Sequence, residues 1–203
     1  MFSLLVDAVY LLRHGETVNG QCYIGHLDVA LSDLGRKQME VAAMGIGGWD
    51  VIVTSPLIRC AEFSRQLAQR LNIPLITEPD IREIGFGRWE GLDFKTIRAR
   101  YPEQYRAFLN NPEENTPPGG ESLLIFRQRV LTAWKLLQQQ YAGQKILLVV
   151  HGGTIRALLQ EIYSMSWTDA FAISVRHGCM ICIEQDRNSF RTALPYQYLN
   201  QST

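Results

Sequence analysis

The sequence predicts an α/β protein of three layers, α/β/α, with a mostly parallel sheet flanked by helices and a helical insertion over the carboxyl ends of the strands. Three observations lead there. Short continuous apolar runs at 8–12, 51–54 and 146–150 read as strands buried on both faces, as in parallel sheets. Helical spacings follow them, and alternating strand and helix builds a parallel sheet covered on both sides. The chain has 203 residues, 46% of them hydrophobic, enough for one fairly large domain with a sizeable core. A single domain over 1–203 is therefore expected, with the insertion at about 94–118.

The elements follow in order. "MFSLLVDAVYLL" lacks a basic leader and carries Asp7 inside its apolar run, so it reads as a first core strand rather than a signal peptide. The strand Ala8–Leu12 runs into Arg13 and His14. Ser32 caps a helix from Asp33 to about Gly45. After the strand Val51–Thr54, Ser55-Pro56 reads as an N-cap with proline at the first helical position. That helix runs to Leu71, with Ala61, Ser64, Leu67, Ala68 and Leu71 inward. A shorter strand is expected at Pro74–Thr77. The stretch Phe94–Pro118, charged and aromatic and closed by "NPEENTPPGGES", reads as helices plus a loop. A helix starting near Ser122 aligns Phe126, Val130, Ala133, Leu137 and Tyr141. The strand Ile146–Val150 ends on His151, and Ile155, Leu158, Leu159 and Ile162 fall at helical spacing beyond it. "GCMICIEQDRNSFRTALPY" reads as two strands joined at 186–189.

Composition removes several function classes. The 20 basic and 20 acidic residues leave no net charge, which argues against coating nucleic acid or an anionic membrane. No apolar stretch approaches the roughly 18 residues that span a bilayer, so a soluble, cytoplasmic protein is expected. "CMIC" at 179–182 lies in a strand pattern, where residues three apart face opposite ways; buried structural thiols are expected rather than a redox or zinc pair. "NQS" at 200–202 would matter only in a secreted chain.

The apolar runs deliver an unusual set of groups. In open α/β sheets ligands bind outside the carboxyl ends of the strands. There the chain puts Arg13 and His14, then "SPLIR" with Arg59, then His151, Gly152 and Gly153 opening a helix whose free N–H groups favour an anion. A lone buried histidine is ordinarily satisfied by backbone; two strand-His-Gly units with arginines beside them form a site for a dianion. Phosphoryl fits, because guanidinium forks match phosphate oxygens. "DIREIGFGRWEG" offers Glu83 and Glu90 as proton carriers, and the residues alone do not choose between them. There is no G-x-x-x-x-G-K-[ST] loop, no Asp-x-Asp pair, no Cys-x5-Arg loop and no H-E-x-x-H cluster. A metal-free mechanism with a histidine nucleophile is the economical reading.

"LLRHGET", "TSPLIRCAE", "REIGFGRWEG", "PPGGES" and "VVHGGTIRALL", in this order, resemble the histidine phosphatase superfamily. The resemblance spans about 9–159 and implies a phosphatase rather than a mutase, acting on a small-molecule phosphomonoester. It makes His14 the nucleophile that is phosphorylated, with Arg13, Arg59 and His151 on the phosphoryl oxygens, and it settles the acid as Glu83. No metal and no organic cofactor is implied. The family's asparagine six residues after the nucleophile is Gly20 here, and Asn19, one residue early, is the candidate in its place. Tyr23 and Ile24 are expected as pocket walls, His26 and His177 at most as pocket-edge groups, and Trp89 and Phe86 more as core than as a substrate platform. Arg65, Arg70, Arg98 and Arg100 read as solvated helix faces. A catalytically silent binder of phospho-ligands is the rival class, and such a binder has no use for Glu83.

Overall fold

Continuous apolar runs become the centre of one sheet. In the computed structural model, which describes residues 7–186 and 189–192, six strands run in the order β3-β2-β4-β1-β5-β6. They are β1 (Asp7–Arg13), β2 (Val51–Thr54), β3 (Leu75–Thr77), β4 (Ile146–Val150), β5 (Met180–Asp186) and β6 (Ser189–Thr192). The first four pair in parallel, while β5 and β6 add an antiparallel edge. Met1–Val6 and "NQS" at 200–202 lie outside the described residues.

Successive strand side chains point to opposite faces and build two cores. Val9, Leu11, Val53 and Leu148 pack under α5 (Leu123–Gln140), α6 (Gly152–Ile162) and α7 (Trp167–Ala172). Leu12, Ile52, Leu147 and Val149 pack under α1 (Asp33–Met44) and α2 (Ile58–Leu71). This is the expected three-layer α/β/α arrangement. Ser32 and Ser122 cap α1 and α5 through their side chains. Among the described residues, no helix is long and apolar enough to cross a membrane.

The insertion forms α3 (Phe94–Arg100) and α4 (Pro102–Asn110), seated on a third, aromatic cluster of Trp89, Ile97 and Phe108. Three expectations need correction. Helix α2 starts at Ile58 rather than at Pro56, because Ser55 Oγ accepts from Leu57 N and is also bonded to His151, so it caps nothing. On α2 the inward face includes Cys60 and Phe63, while Leu71 is 41% exposed. Helix α7 has no counterpart among the expected elements; it is six residues long, too short for a periodic pattern to stand out.

Candidate active site

Strand register assembles the site. Arg13 lies level with Val150, and Thr54 with Val149, so the residues just beyond β1, β2 and β4 meet at one edge. His14 is 4% exposed, and its Nδ1 lies 2.7 Å from the Gly15 carbonyl oxygen. A carbonyl only accepts, so Nδ1 carries the proton and Nε2 keeps its lone pair. Burial, then the charges of Arg13 and Arg59, hold the imidazole well below its ordinary pKa. Gly15 is required by crossing chains: a Cβ there would sit 2.0 Å from the Gly35 carbonyl oxygen of α1.

Arg59 enters from the first turn of α2 and is 1% exposed. Its Nε donates to His151 Nδ1 at 3.3 Å, Nη1 to the Leu27 carbonyl at 2.8 Å and Nη2 to the Gly25 carbonyl at 2.7 Å. Of five guanidinium N–H groups, two remain for a ligand. His151 therefore accepts at Nδ1 and donates from Nε2 to Ser55 Oγ at 2.7 Å. It is fully buried, its ring edge-on to His14 at 5.2 Å, and it does not line the cavity. The expectation that His151 contacts phosphoryl oxygens is not met in this geometry, because Arg59 and Ser55 take both its nitrogens. Desolvation, then the Arg59 charge, keeps it neutral with a pKa well below the usual.

The two glutamates part company. Glu83 lines the cavity, and its carboxylate accepts from Gly153 N and Ile84 N, both at 3.1 Å. A Cβ on Gly153 would fall 2.2 Å from Glu83 Oε1, which explains the second glycine of His-Gly-Gly. Glu90 instead laces loops together, accepting from His26 N and Phe86 N at 2.9 Å each. His26 Nε2 sits 2.8 Å from the Glu83 carbonyl oxygen, a backbone clasp rather than a ligand. Arg129 of α5 and Glu121 of "PGGES" form a paired clamp, at 2.7 and 2.8 Å. Arg129 also donates to the carbonyls of Asp80, Arg82 and Glu83, and Glu121 accepts from Gly85 N. Sequence reasoning missed this clamp, because its members sit far from any strand end.

Arg13 donates through Nη1 to the Val175 carbonyl and through Nη2 to His177 Nε2 at 3.0 Å. Its Nε is buried without a hydrogen-bond partner, as is Nε of Arg156. Both guanidinium groups converge on Gly152: a Cβ there would lie 3.1 Å from Arg156 Nη1 and 3.3 Å from Arg13 Nε. Arg156 was also missed, though a residue four beyond Gly152 on a helix shares its face. Asn19 is exposed and outside the cavity; the chain turns at Gly20 (φ +65°), and Gly20 and Gln21 line the wall instead. Tyr23, Ile24 and Phe86 are wall residues, while Trp89 is fully buried core. The four arginines at 65, 70, 98 and 100 are exposed.

The cavity measures about 650 Å³. Its polar lining includes Arg13, His14, Arg59, Glu83, Arg156 and His177, and its aromatic lining Tyr23, Phe86, Phe94, Phe108, Trp167 and Phe171. Such a site can bind an anion, attack it with an unprotonated imidazole and pass a proton through a carboxyl. Among the described residues, no group of three or more His, Cys, Asp or Glu is placed to hold a metal ion.

Comparison with known proteins agrees with this geometry. Residues 9–196 match the model of the histidine phosphatase superfamily (branch 1). Over 160 residues the chain is 35% identical to phosphoglycerate mutase-like protein 4 of Arabidopsis thaliana, covering 75% of this chain and 70% of that protein. It is 32% identical over 162 residues to the uncharacterized phosphatase PhoE of Bacillus subtilis (strain 168), covering 77% of this chain and 78% of that one. The crystal structure of the α-ribazole phosphatase from Shigella flexneri has the same fold, with a TM-score of 0.83, 24% identity and coverage of 97% of this chain and 99% of that chain.

Proposed function

Because the chain belongs to the histidine phosphatase superfamily, we propose that it hydrolyses phosphomonoesters through a phosphohistidine on His14. We further propose α-ribazole-5′-phosphate as the substrate, released as α-ribazole in cobalamin nucleotide-loop assembly. The proposal includes a cytoplasmic location and a small-molecule partner rather than nucleic acid or a membrane. No metal or organic cofactor enters its steps.

The observation that carries the chemistry is the locked tautomer of His14, which leaves the Nε2 lone pair for the cavity. Nε2 attacks phosphorus, and the P–O bond to the leaving group breaks. Glu83 in its protonated form gives that proton to the leaving oxygen. Water then attacks the phosphohistidine, losing a proton to the Glu83 carboxylate, and the P–N bond returns its electron pair to Nε2. The remaining N–H groups of Arg13 and Arg59 meet the phosphoryl oxygens, and His151 acts through Arg59. Each such fixed donor is worth about 3 kcal/mol in the transition state, by analogy with oxyanion-hole deletions.

The walls support the substrate. Tyr23, Phe86 and Trp167 offer flat apolar surface to a benzimidazole base, and Gln21, Asn110 and Thr168 offer amides and a hydroxyl to a ribose. The small share of polar wall favours a second reading, a phosphatase of broad specificity toward bulky leaving groups.

The test is phosphate release, without added metal, from α-ribazole-5′-phosphate, mononucleotides, sugar phosphates, phosphoglycerates and an aryl phosphate. A kcat/KM for α-ribazole-5′-phosphate at least ~100-fold above the rest, about 2.7 kcal/mol of discrimination, is expected. Uniform rates across the panel would replace that substrate with the broad-specificity reading. His14→Ala should abolish turnover and the acid-labile phosphoenzyme; a fully active His14→Ala protein would remove the mechanism. Glu83→Gln should slow turnover most for poor leaving groups.

A further inference from the structure

His177 is the one histidine of the cavity that neither attacks nor braces Arg59. It stands two residues after Val175 and three before β5. Strand β5 runs antiparallel to β1, so the segment that feeds its start lies against the carboxyl end of β1. Two backbone bonds fix that segment there, Gly178 N to the His14 carbonyl at 3.3 Å and Arg13 N to the Cys179 carbonyl at 3.0 Å. The result is a ring 5.5 Å from the His14 ring, tilted by 43°, and 3.0 Å from Arg13 Nη2.

We propose that His177 is a positioning residue for the phosphoryl-binding arginine: its Nε2 accepts from Arg13 Nη2 and, with the Val175 carbonyl, fixes the guanidinium so that Nε–H stays open over Gly152. The inference rests on the reading of Arg13 as a phosphoryl ligand. Arginine only donates, so the His177 tautomer follows: Nε2 accepts and Nδ1 carries the proton. Both outer nitrogens of Arg13 are bound to the 175–177 segment, and Nε, the remaining nitrogen, is buried without a partner at the amino end of α6. An arginine held at two points presents its remaining N–H donors, Nε–H among them, in fixed directions, which lowers the reorganisation needed when charge develops on the phosphoryl group. Burial, then the Arg13 charge, takes the His177 pKa down to about 4, so the ring is a neutral acceptor at physiological pH.

Two variants separate the acceptor from the ring. His177→Phe keeps a flat ring against His14 and removes the acceptor; His177→Gln puts a carbonyl oxygen near the place of Nε2. The expected result for aryl phosphate turnover is a kcat/KM lower by about tenfold or more in His177→Phe, and recovery to within about threefold in His177→Gln. In an Arg13→Lys background, His177→Phe should have no more than about a twofold further effect, because the group it positions is gone. Binding of inorganic phosphate, followed by calorimetry, should weaken in His177→Phe and recover in His177→Gln. Thermal melting of each variant checks that the fold is intact. Wild-type kcat/KM and phosphate affinity in His177→Phe would overturn the inference. So would equal losses in the Phe and Gln variants, or full additivity with Arg13→Lys. A wild-type protein that turns over no phosphomonoester, yet loses phosphate affinity in His177→Phe alone, would remove the phosphatase reading and leave the role of His177 standing.

Discussion

At the scale of single residues, two glycines of the site are indispensable for different reasons. A methyl group on Gly153 meets the far end of a flexible side chain, Glu83 Oε1, whereas one on Gly15 meets rigid backbone at Gly35. Gly153→Ala should therefore fold with a melting temperature close to wild type while losing about 100-fold in kcat/KM, because it displaces Glu83 from the place where we propose that it carries the proton. Gly15→Ala should lose about 3 kcal/mol of stability or more, measured by urea unfolding, because neither chain can yield. A Gly153→Ala enzyme of full activity would disconnect Glu83 from the chemistry. His14 offers a direct check at the same scale. Its imidazole resonances should show no titration around pH ~6.5, where a solvated ring changes charge. These residue identities were legible in the sequence because strand-His-Gly units and arginines at fixed offsets are local signals. Asn19 was misplaced because the turn at Gly20 carries it out to solvent.

At the scale of elements, α5 does more than cover the sheet. Through Arg129 and Glu121, with side chains 11% and 13% exposed, it grips the loop that presents Glu83. Burial alone would raise the Glu121 carboxyl, but the hydrogen bond and charge of Arg129 bring it below its ordinary range. Arg129→Met removes both guanidinium hydrogen bonds from that carboxylate and leaves it the Gly85 N–H, at a cost of about 3 kcal/mol. A lowered melting temperature together with a lower kcat is expected; a drop in neither would make the clamp idle. The parallel strands and their helices were readable because burial on both faces writes continuous apolar runs. The antiparallel edge was readable as two strands, but not its consequence: pairing of β5 with β1 brings His177 to the site from more than 160 positions away in sequence. Ser55 misled as a cap because its hydroxyl is engaged by His151, a contact no local rule contains.

At the scale of the whole molecule, the buried histidines tie stability to pH. His14, His151 and His177 all have folded-state pKa values below the ordinary imidazole value, the last at about 4. Below pH ~6.5 the unfolded chain binds protons that the native state refuses, so stability rises with pH in this window. The fully buried rings of His14 and His151 contribute up to about 1.4 kcal/mol per pH unit each, and the gain is complete once pH exceeds the unfolded value. The contribution of His177 ends near pH 4, where its native ring takes up a proton as well. Urea midpoints should climb between pH 5 and 7 and level off above; a flat profile would mean that these rings exchange protons freely in the native state.

The aromatic cluster beneath α3 and α4 has a consequence for how such a molecule can change over time. Trp89, Ile97 and Phe108 form a small core of their own, apart from the two that sandwich the sheet. Arg13 and His14 come from the end of β1 and Arg59 from the start of α2, whereas Phe94, Phe108 and Leu109 bring wall residues to the same cavity from the cap of α3 and α4. Selection can therefore rewrite the cap as a cassette, altering which molecules are admitted while the reaction is inherited intact. For an engineer the same division makes residues 94–118 the place to graft a new appetite onto an old chemistry.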